Sequence, residues 1–513
     1  MGGLIASIIC AFAIWQLFRL NREQEGKVRN SKALWIPTFW LFIAASRNVS
    51  EWLQYSPGGV AGLYLEGNPL DRAVLTVVLA LGVMVLLGRA HRAGMLLKSN
   101  LPILLYFLYC GISITWSDFP DVAFKRWFRA MGDVVMVLIV LTDTDWPVAL
   151  RRLLTRLGFV LVPLSILFIR YFPRLGRSYS QGGVPHWTGA ATDKNALGML
   201  SLLFGLAAIL RFLQIYREQS PRRARPLIAQ GTLIVMTFYL LWEADSATAF
   251  ACFFLAGIPM VMTSLFRWAR KPVFVNAIVV GALGISFSAL FLNLGTGMVE
   301  NLGRNSTLTG RTTIWQFALG MVHNPVFGTG FESFWVGPRL AKMVEQLHTG
   351  INQAHNGYIE VFLNLGWVGV ALLAAILISS YRRVVTAVRW MTPAASLRLA
   401  YFIVAVVYNF TEAGFKMTHP VWITFLLATM VVPEVTRQAD EPPLSLDHAD
   451  DRAMHKPAAV KPYLQPKSGR QLVHRVYSEG LQRFHELSAH WLKAAGSFAT
   501  CSGIQATLRY GIK

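Results

Sequence analysis

Acidic residues are scarce in this chain, with 27 Asp and Glu against 48 Lys and Arg in 513 residues, and charged residues of both signs make up only 15%. So little charge, beside 54% hydrophobic residues and a mean hydropathy of +0.44, excludes an ordinary soluble protein of this length. Cysteine is nearly absent: of the four, Cys10, Cys110 and Cys252 fall in apolar runs and Cys501 lies in the C-terminal tail, which excludes a disulfide-stapled exterior. The sequence has no internal repeat, no Walker-type phosphate loop and no nucleic-acid module. Apart from Asp143 and Asp145, it also lacks an acidic or His/Cys cluster with metal-ligand spacing, so no metal and no cofactor is expected.

What the chain does have is apolar runs. They are centred near residues 10, 39, 79, 108, 136, 161, 204, 234, 256, 282, 369, 404 and 425, each long or nearly long enough to cross a hydrocarbon core of ~30 Å. The expected fold is all-α, a polytopic membrane protein with about 12–13 transmembrane helices. The run at 101–115 is short for a full span, and those near 136 and 404 have room to be tilted or broken. The first run lacks a basic start and a small-residue cleavage pattern, so it is expected to stay as a helix rather than be removed as a signal.

Lysine and arginine give the orientation. They follow the first, third, fifth, seventh, ninth and eleventh runs, for example Arg19 to Lys32, Arg151 to Arg156 and Arg382 to Arg398. This alternation places the N-terminus outside and the C-terminal tail inside. Three connections on the outer side break the pattern: Lys125, Arg126 and Arg129; Arg170, Arg174, Arg177 and Lys194; and Arg304, Arg311, Arg339 and Lys342. Cations placed against the orientation bias suit an anionic ligand at the outer face, although translocated loops also tolerate some basic residues. The last two clusters, set in glycine-rich and aromatic sequence, favour the ligand.

The longest outer connection, 293–357, contains NSTLTGRTTIWQFALGMVHNPVFGTGFESFW. Ser306 or Thr309 is placed to cap a helix beginning around Arg311, whose guanidinium and free backbone N–H groups would then suit a phosphate. The alternative is an amphipathic helix on the membrane with Arg311 snorkelling. Asn324 and Pro325 are expected to end that helix, and Gly328 and Gly330 to permit the turn after it. Lys194, at the start of the seventh helix, has the helix dipole and its own ammonium to attract an anion, or is an exposed residue paired with Asp193. Arg177 is the next candidate.

The segments TGAATDKNALG, TLTGRTTIW, PVFGTGFESFW, AHNGYIEVFLNLGWVG and NFTEAG occur here in the order in which they occur in the bacterial O-antigen ligase superfamily, which includes exopolysaccharide polymerases. The chain resembles that superfamily over roughly residues 100–435. The resemblance implies a GT-C-like membrane glycosyltransferase with one long periplasmic loop, resident in the bacterial inner membrane. Its donor would be a polyprenyl-pyrophosphate-linked oligosaccharide, and its acceptor a saccharide or a lipid A core. It also implies that His355 is the catalytic base, whereas a lone histidine there would more often be a capping or interfacial residue. Arg311, Lys194 and Arg177 become the pyrophosphate contacts, with a lysine rather than the commoner arginine at 194. Asn356 becomes a neutral hydrogen-bond partner, and Gly357 the point where the backbone turns. Glu412 matches an acidic position of the family, free to orient His355 or a sugar, or to be an ordinary interfacial carboxylate. Asp143 and Asp145 mimic a metal-binding pair but fall on the cytoplasmic side.

Two regions follow: a membrane domain over 1–434 and a cytoplasmic linker with a basic tail over 435–513, where a short helix around 470–495 is expected to rest on anionic lipid. Polymerisation of exopolysaccharide or O-antigen repeat units is the first functional reading, and ligation to lipid A core the alternative. A flippase of lipid-linked saccharide is the alternative of another class. Because the candidate charges gather in outer connections rather than at mid-membrane, catalysis is favoured over transport.

Overall fold

The computed structural model describes residues 2–25, 31–55, 67–179, 183–218, 221–291, 308–347, 352–390 and 394–433. The expected 435–513 region, Arg304 and the Ser306 cap lie outside the described residues. Among the described residues the elements are helices apart from one short antiparallel hairpin, in which Arg177–Tyr179 pairs with Pro185–Trp187. Each of the thirteen apolar centres falls in a helix.

Seven of those helices are long and apolar enough to span a bilayer: Gly2–Glu25, Pro69–Leu87, Trp146–Tyr171, Lys194–Arg217, Ala224–Glu243, Ala247–Leu265 and Gly357–Arg389. The run at 108 belongs to a pair, Ala90–Ser99 and Leu101–Trp116, bent by 95°, which makes an eighth span if counted as one. Pro120–Leu141 is long but carries Asp121, Lys125, Arg126, Arg129 and Asp133. Of the remaining four, Pro272–Phe291 has 20 residues and the other three are short, and two of these explain a feature that hydropathy alone blurs. Ala395–Tyr408 and Pro420–Thr429 are 14 and 10 residues long, about 21 and 15 Å, and the loop between them folds back into the protein.

Burial sorts the helices into layers. In Trp146–Tyr171 and Lys194–Arg217, 78% and 72% of the apolar window is buried, against 17% in Gly2–Glu25 and in Pro69–Leu87. The first two form the centre, and the latter present apolar side chains outward, as lipid-facing helices do. Lys194–Arg217 packs on Ala224–Glu243 and Ala247–Leu265, and the latter packs in turn on Ala395–Tyr408. Helix starts follow local chemistry: the side chains of Asp145, Asp193 and Ser246 accept from Val148, Ala196 and Ala249 N–H groups that have no partner inside their helices.

One long helix is interrupted. Inside Gly357–Arg389, Gly366 has φ +63° and ψ −163°, a conformation open to glycine at little cost. The turn PVFGTG docks into the break: Trp367 N donates to Pro325 O at 2.9 Å and Val368 N to Val326 O at 3.2 Å. In return, Thr329 N donates to Leu363 O at 3.2 Å and Gly330 N to Asn364 O at 2.9 Å. Gly328 and Gly330 have φ of +73° and +96°, as expected from the sequence. The helix before this turn differs from expectation. It runs Leu308–Gly320, placing Thr309 and Arg311 inside it rather than at its cap, and it ends before Asn324. Asn324 instead builds the turn, its side chain accepting from Val326 N and Phe327 N at 3.1 Å each.

Candidate active site

Two irregular loops meet where the long helix begins. Asn356 caps Gly357–Arg389, its Oδ1 accepting from Tyr358 N and Ile359 N at 3.0 Å, while its Nδ2 donates to Phe410 O at 3.0 Å. Gly357 N donates to Asn409 O at 2.8 Å and to Glu412 O at 3.1 Å. A Cβ on Gly357 would lie 1.8 Å from Asn409 Oδ1, so this glycine is a close-approach residue rather than the expected turning point. The turn is made one step earlier. His355 itself has φ +50°, a left-handed conformation uncommon outside glycine, which throws its ring toward the second loop. Asn409 shapes that loop, its Oδ1 accepting from Gly414 N at 2.7 Å and Phe415 N at 2.9 Å.

Glu412 is the hub. Its carboxylate, 8% exposed, takes His355 Nδ1 at 3.2 Å on Oε2, and Arg311 Nη2 at 3.2 Å and Asn195 Nδ2 at 3.1 Å on Oε1. Arg311 Nη1 also donates to Thr411 O at 2.6 Å. The Gln353 amide nitrogen lies 3.4 Å from the same imidazole nitrogen, and the two contacts demand opposite tautomers. The nearer carboxylate decides the matter: Nδ1 carries the proton and donates to Glu412, leaving Nε2 as the basic nitrogen. The ring is 30% exposed and lines a cavity of about 550 Å³.

Lys194, Lys416 and Arg129 also line that cavity, so cations outnumber its carboxylates, Asp193 and Glu412. Lys194 Nζ lies 3.8 Å from Asp245 Oδ2, not beside Asp193, which caps the helix. Lys416 Nζ donates to Gln353 Oε1 at 3.0 Å. Behind it, burial raises the Glu332 carboxyl against the opposing pull of Lys416 and Arg126. A second histidine lines the cavity but is chemically unlike His355. Burial, assisted by the Lys416 charge, pushes His419 down to about 3, and its Nδ1 accepts from Val421 N at 3.3 Å as a helix cap. It is neutral and already engaged.

Of the residues anticipated from sequence, His355, Glu412, Arg311, Lys194 and Asn356 converge here. Arg311 comes with a different partner than expected: its guanidinium lies against Glu412 and the Thr411 carbonyl, and it is not among the cavity-lining residues. Arg177 is elsewhere, stacked 4.4 Å over the Trp187 ring and donating to Ile169 O at 3.2 Å. Sequence reading passed over Asn195, Gln353 and Lys416. Asn195 adjoins Lys194, and Lys416 lies four residues beyond Glu412, but nothing in their local sequence says that they face one another. Asp143 and Asp145 do ordinary structural work, the first accepting from Ser31 N at 3.3 Å and the second capping Trp146–Tyr171.

These features define a multi-pass membrane protein with a partly enclosed, cation-lined cavity and a carboxylate-oriented histidine at its wall. Residues 231–374, which include Arg311 and His355, match the O-antigen ligase family. This match agrees with the ordered motifs. It is 26% identical over 297 residues to the exopolysaccharide production protein ExoQ of Rhizobium meliloti, covering 55% of this chain and 65% of that one. It is 22% identical to proteins of Rickettsia typhi and Rickettsia prowazekii named as candidate polysaccharide ligases, covering 40% of this chain and 52% of each of theirs. The alignments therefore span about half to two thirds of these relatives.

Proposed function

We propose that this protein is a glycosyltransferase of the bacterial inner membrane, with its site facing the periplasm, that transfers a saccharide from a polyprenyl-pyrophosphate donor to an acceptor hydroxyl. The observation that carries the reading is the His355 Nδ1 to Glu412 contact at 3.2 Å, beside a cavity that Lys194 and Lys416 make cationic. His355 Nε2 takes the hydroxyl proton as the acceptor oxygen bonds to the anomeric carbon. The bond from that carbon to the diphosphate oxygen breaks, and its electron pair leaves with the diphosphate. Lys194 and Lys416 neutralise the leaving group, and Glu412 stabilises the imidazolium that forms. Arg311 keeps Glu412 in place. Arg177 has no part in this scheme, and no step calls on a metal.

Polymerisation of exopolysaccharide repeat units is the reaction we assign, because the match to the exopolysaccharide production protein spans more of this chain than those to the Rickettsia proteins. Transfer to a lipid A core is the second reading, favoured by the family description of residues 231–374. The deciding experiment is reconstitution of purified protein in liposomes with a polyprenyl-pyrophosphate oligosaccharide, with and without lipid A core acceptor and with and without a chelator. Longer polyprenyl-linked chains, formed equally well with chelator, are expected. His355→Ala should lower the transfer rate ~10²–10⁴-fold, the usual contribution of a positioned base. Wild-type rates in that variant would remove the base, and translocation with no new glycosidic bond would make the protein a transporter.

A further inference from the structure

A second cavity, of about 580 Å³, adjoins the first, and Asn48, Arg129 and Met417 line both. It lies among the 48–55 segment, the start of Pro69–Leu87 and the start of Pro120–Leu141, so it is built largely by residues N-terminal to the segment that matches the O-antigen ligase family. It also contains the first cation cluster, Lys125, Arg126 and Arg129, which the transfer chemistry leaves unused.

Charge in this cavity is unevenly matched. Asp71 already accepts from Ser50 N at 2.8 Å and Ser50 Oγ at 2.6 Å, and Glu51 accepts from Asn48 N at 3.0 Å. Asp133, one helical turn beyond Arg129, has both oxygens occupied, by Trp40 Nε1 at 2.8 Å and Thr418 N at 2.7 Å. Arg129 donates from Nη2 to Asn48 Oδ1 at 3.2 Å, yet its enclosed Nε has no hydrogen-bond partner. An enclosed guanidinium N–H left open is costly unless a ligand completes it. Arg72 and Lys125 stand exposed at the same cavity, with Gln54 and Thr76 offering neutral polar groups and Tyr55 and Phe128 exposed aromatic faces.

We infer that this second cavity binds the acceptor, and that the acceptor is a saccharide carrying an anionic substituent, a carboxylate or a phosphate ester. The inference rests on the transferase reading above. Arg129 holds the anion from the inner end, Arg72 and Lys125 from the rim, and the hydroxyls meet Gln54 and Thr76. The lining shared at Asn48, Arg129 and Met417 puts the next sugar of the same chain beside the His355 cavity.

The test measures equilibrium binding to the full chain in phosphatidylcholine nanodiscs, with no donor present. The probes are a uronic-acid trisaccharide, a phosphorylated maltotriose and plain maltotriose. At least one acidic probe should bind about tenfold or more tightly than maltotriose, and whichever does identifies the anion. Arg72→Ala/Lys125→Ala, at exposed positions that do not threaten folding, should remove most of that preference, and Arg129→Gln should remove it too. Equal binding of acidic and neutral probes, or an unchanged preference in the double variant, would overturn the inference. So would loss of binding when phosphatidylglycerol replaces phosphatidylcholine, which would make the cavity a lipid site. Because no transfer is measured, intact binding in a protein that fails the reconstitution assay would sink the transferase reading and leave the cavity an acidic-saccharide site without an acceptor role.

Discussion

His355 and His419 line one cavity and have opposite fates, and the difference lies in what each Nδ1 meets. At His355 it meets a carboxylate, which favours a proton there; at His419 it meets a backbone N–H, which requires the lone pair. A neutral buried imidazole has a thermodynamic signature. His419 stands at about 3 in the folded protein and at its ordinary 6.5 once unfolded, so between those values the unfolded chain binds the extra proton. Stability must therefore fall as pH drops below about 6.5, by on the order of 1 kcal/mol per pH unit from this group. His419→Asn keeps an acceptor for Val421 N and removes the titration. Thermal unfolding in detergent at pH 6.5 and 4.5 should show a smaller loss of stability in the variant than in the wild type, and equal losses would assign the acid sensitivity to other groups. The sequence exposed His355 and Glu412 as candidates because each stands in a recognisable stretch. It did not disclose that Arg311 serves Glu412, since that contact joins residues 101 positions apart and depends on two loops meeting.

At the scale of elements, apolar runs were easy to locate because the hydrocarbon core demands them, and all thirteen centres lie in helices. Breaks were not. The run at 425 reads as a span and that at 404 as one with room to be tilted or broken, yet both are short helices that carry the Glu412 loop between them, a geometry created by Asn409 bonding across the loop. The interruption at Gly366 is likewise a tertiary feature. A Cβ at Gly366 would lie 2.3 Å from Val326 O, in addition to the strain of φ +63°. Gly366→Ala should dislodge the PVFGTG turn and displace the start of the long helix with His355. A shift of ~1 Å at a reacting group can cost ~10²-fold, so the transfer rate should fall by more than tenfold while circular dichroism keeps its helical amplitude. Gly284→Ala, at a helical glycine whose Cβ would meet nothing within 4 Å, is the control and should be neutral. A Gly366→Ala enzyme as fast as the control would show that the docked turn does not position the site.

For the whole molecule, the alternation of basic connections predicts that Lys342 and position 440 lie on opposite faces of the membrane. Lys342 is exposed, so Lys342→Cys should react with a membrane-impermeant maleimide in intact cells, whereas a reporter fused at 440 should be active in the cytoplasm. Reaction of Lys342→Cys only after the cells are opened would reverse the orientation and with it the periplasmic assignment. The docked turn also bears on how the chain is made. Residues 325–330 leave the ribosome before 363–368, the partners that satisfy their backbone groups. A nascent chain halted between the two carries a glycine-rich turn with open carbonyls and nowhere in lipid to place them. The turn must therefore wait in water or at the headgroup level, and the second half of the broken helix closes over it on arrival. Insertion of this protein thus has a required order, and the PVFGTG turn is sealed in place by the segment translated after it.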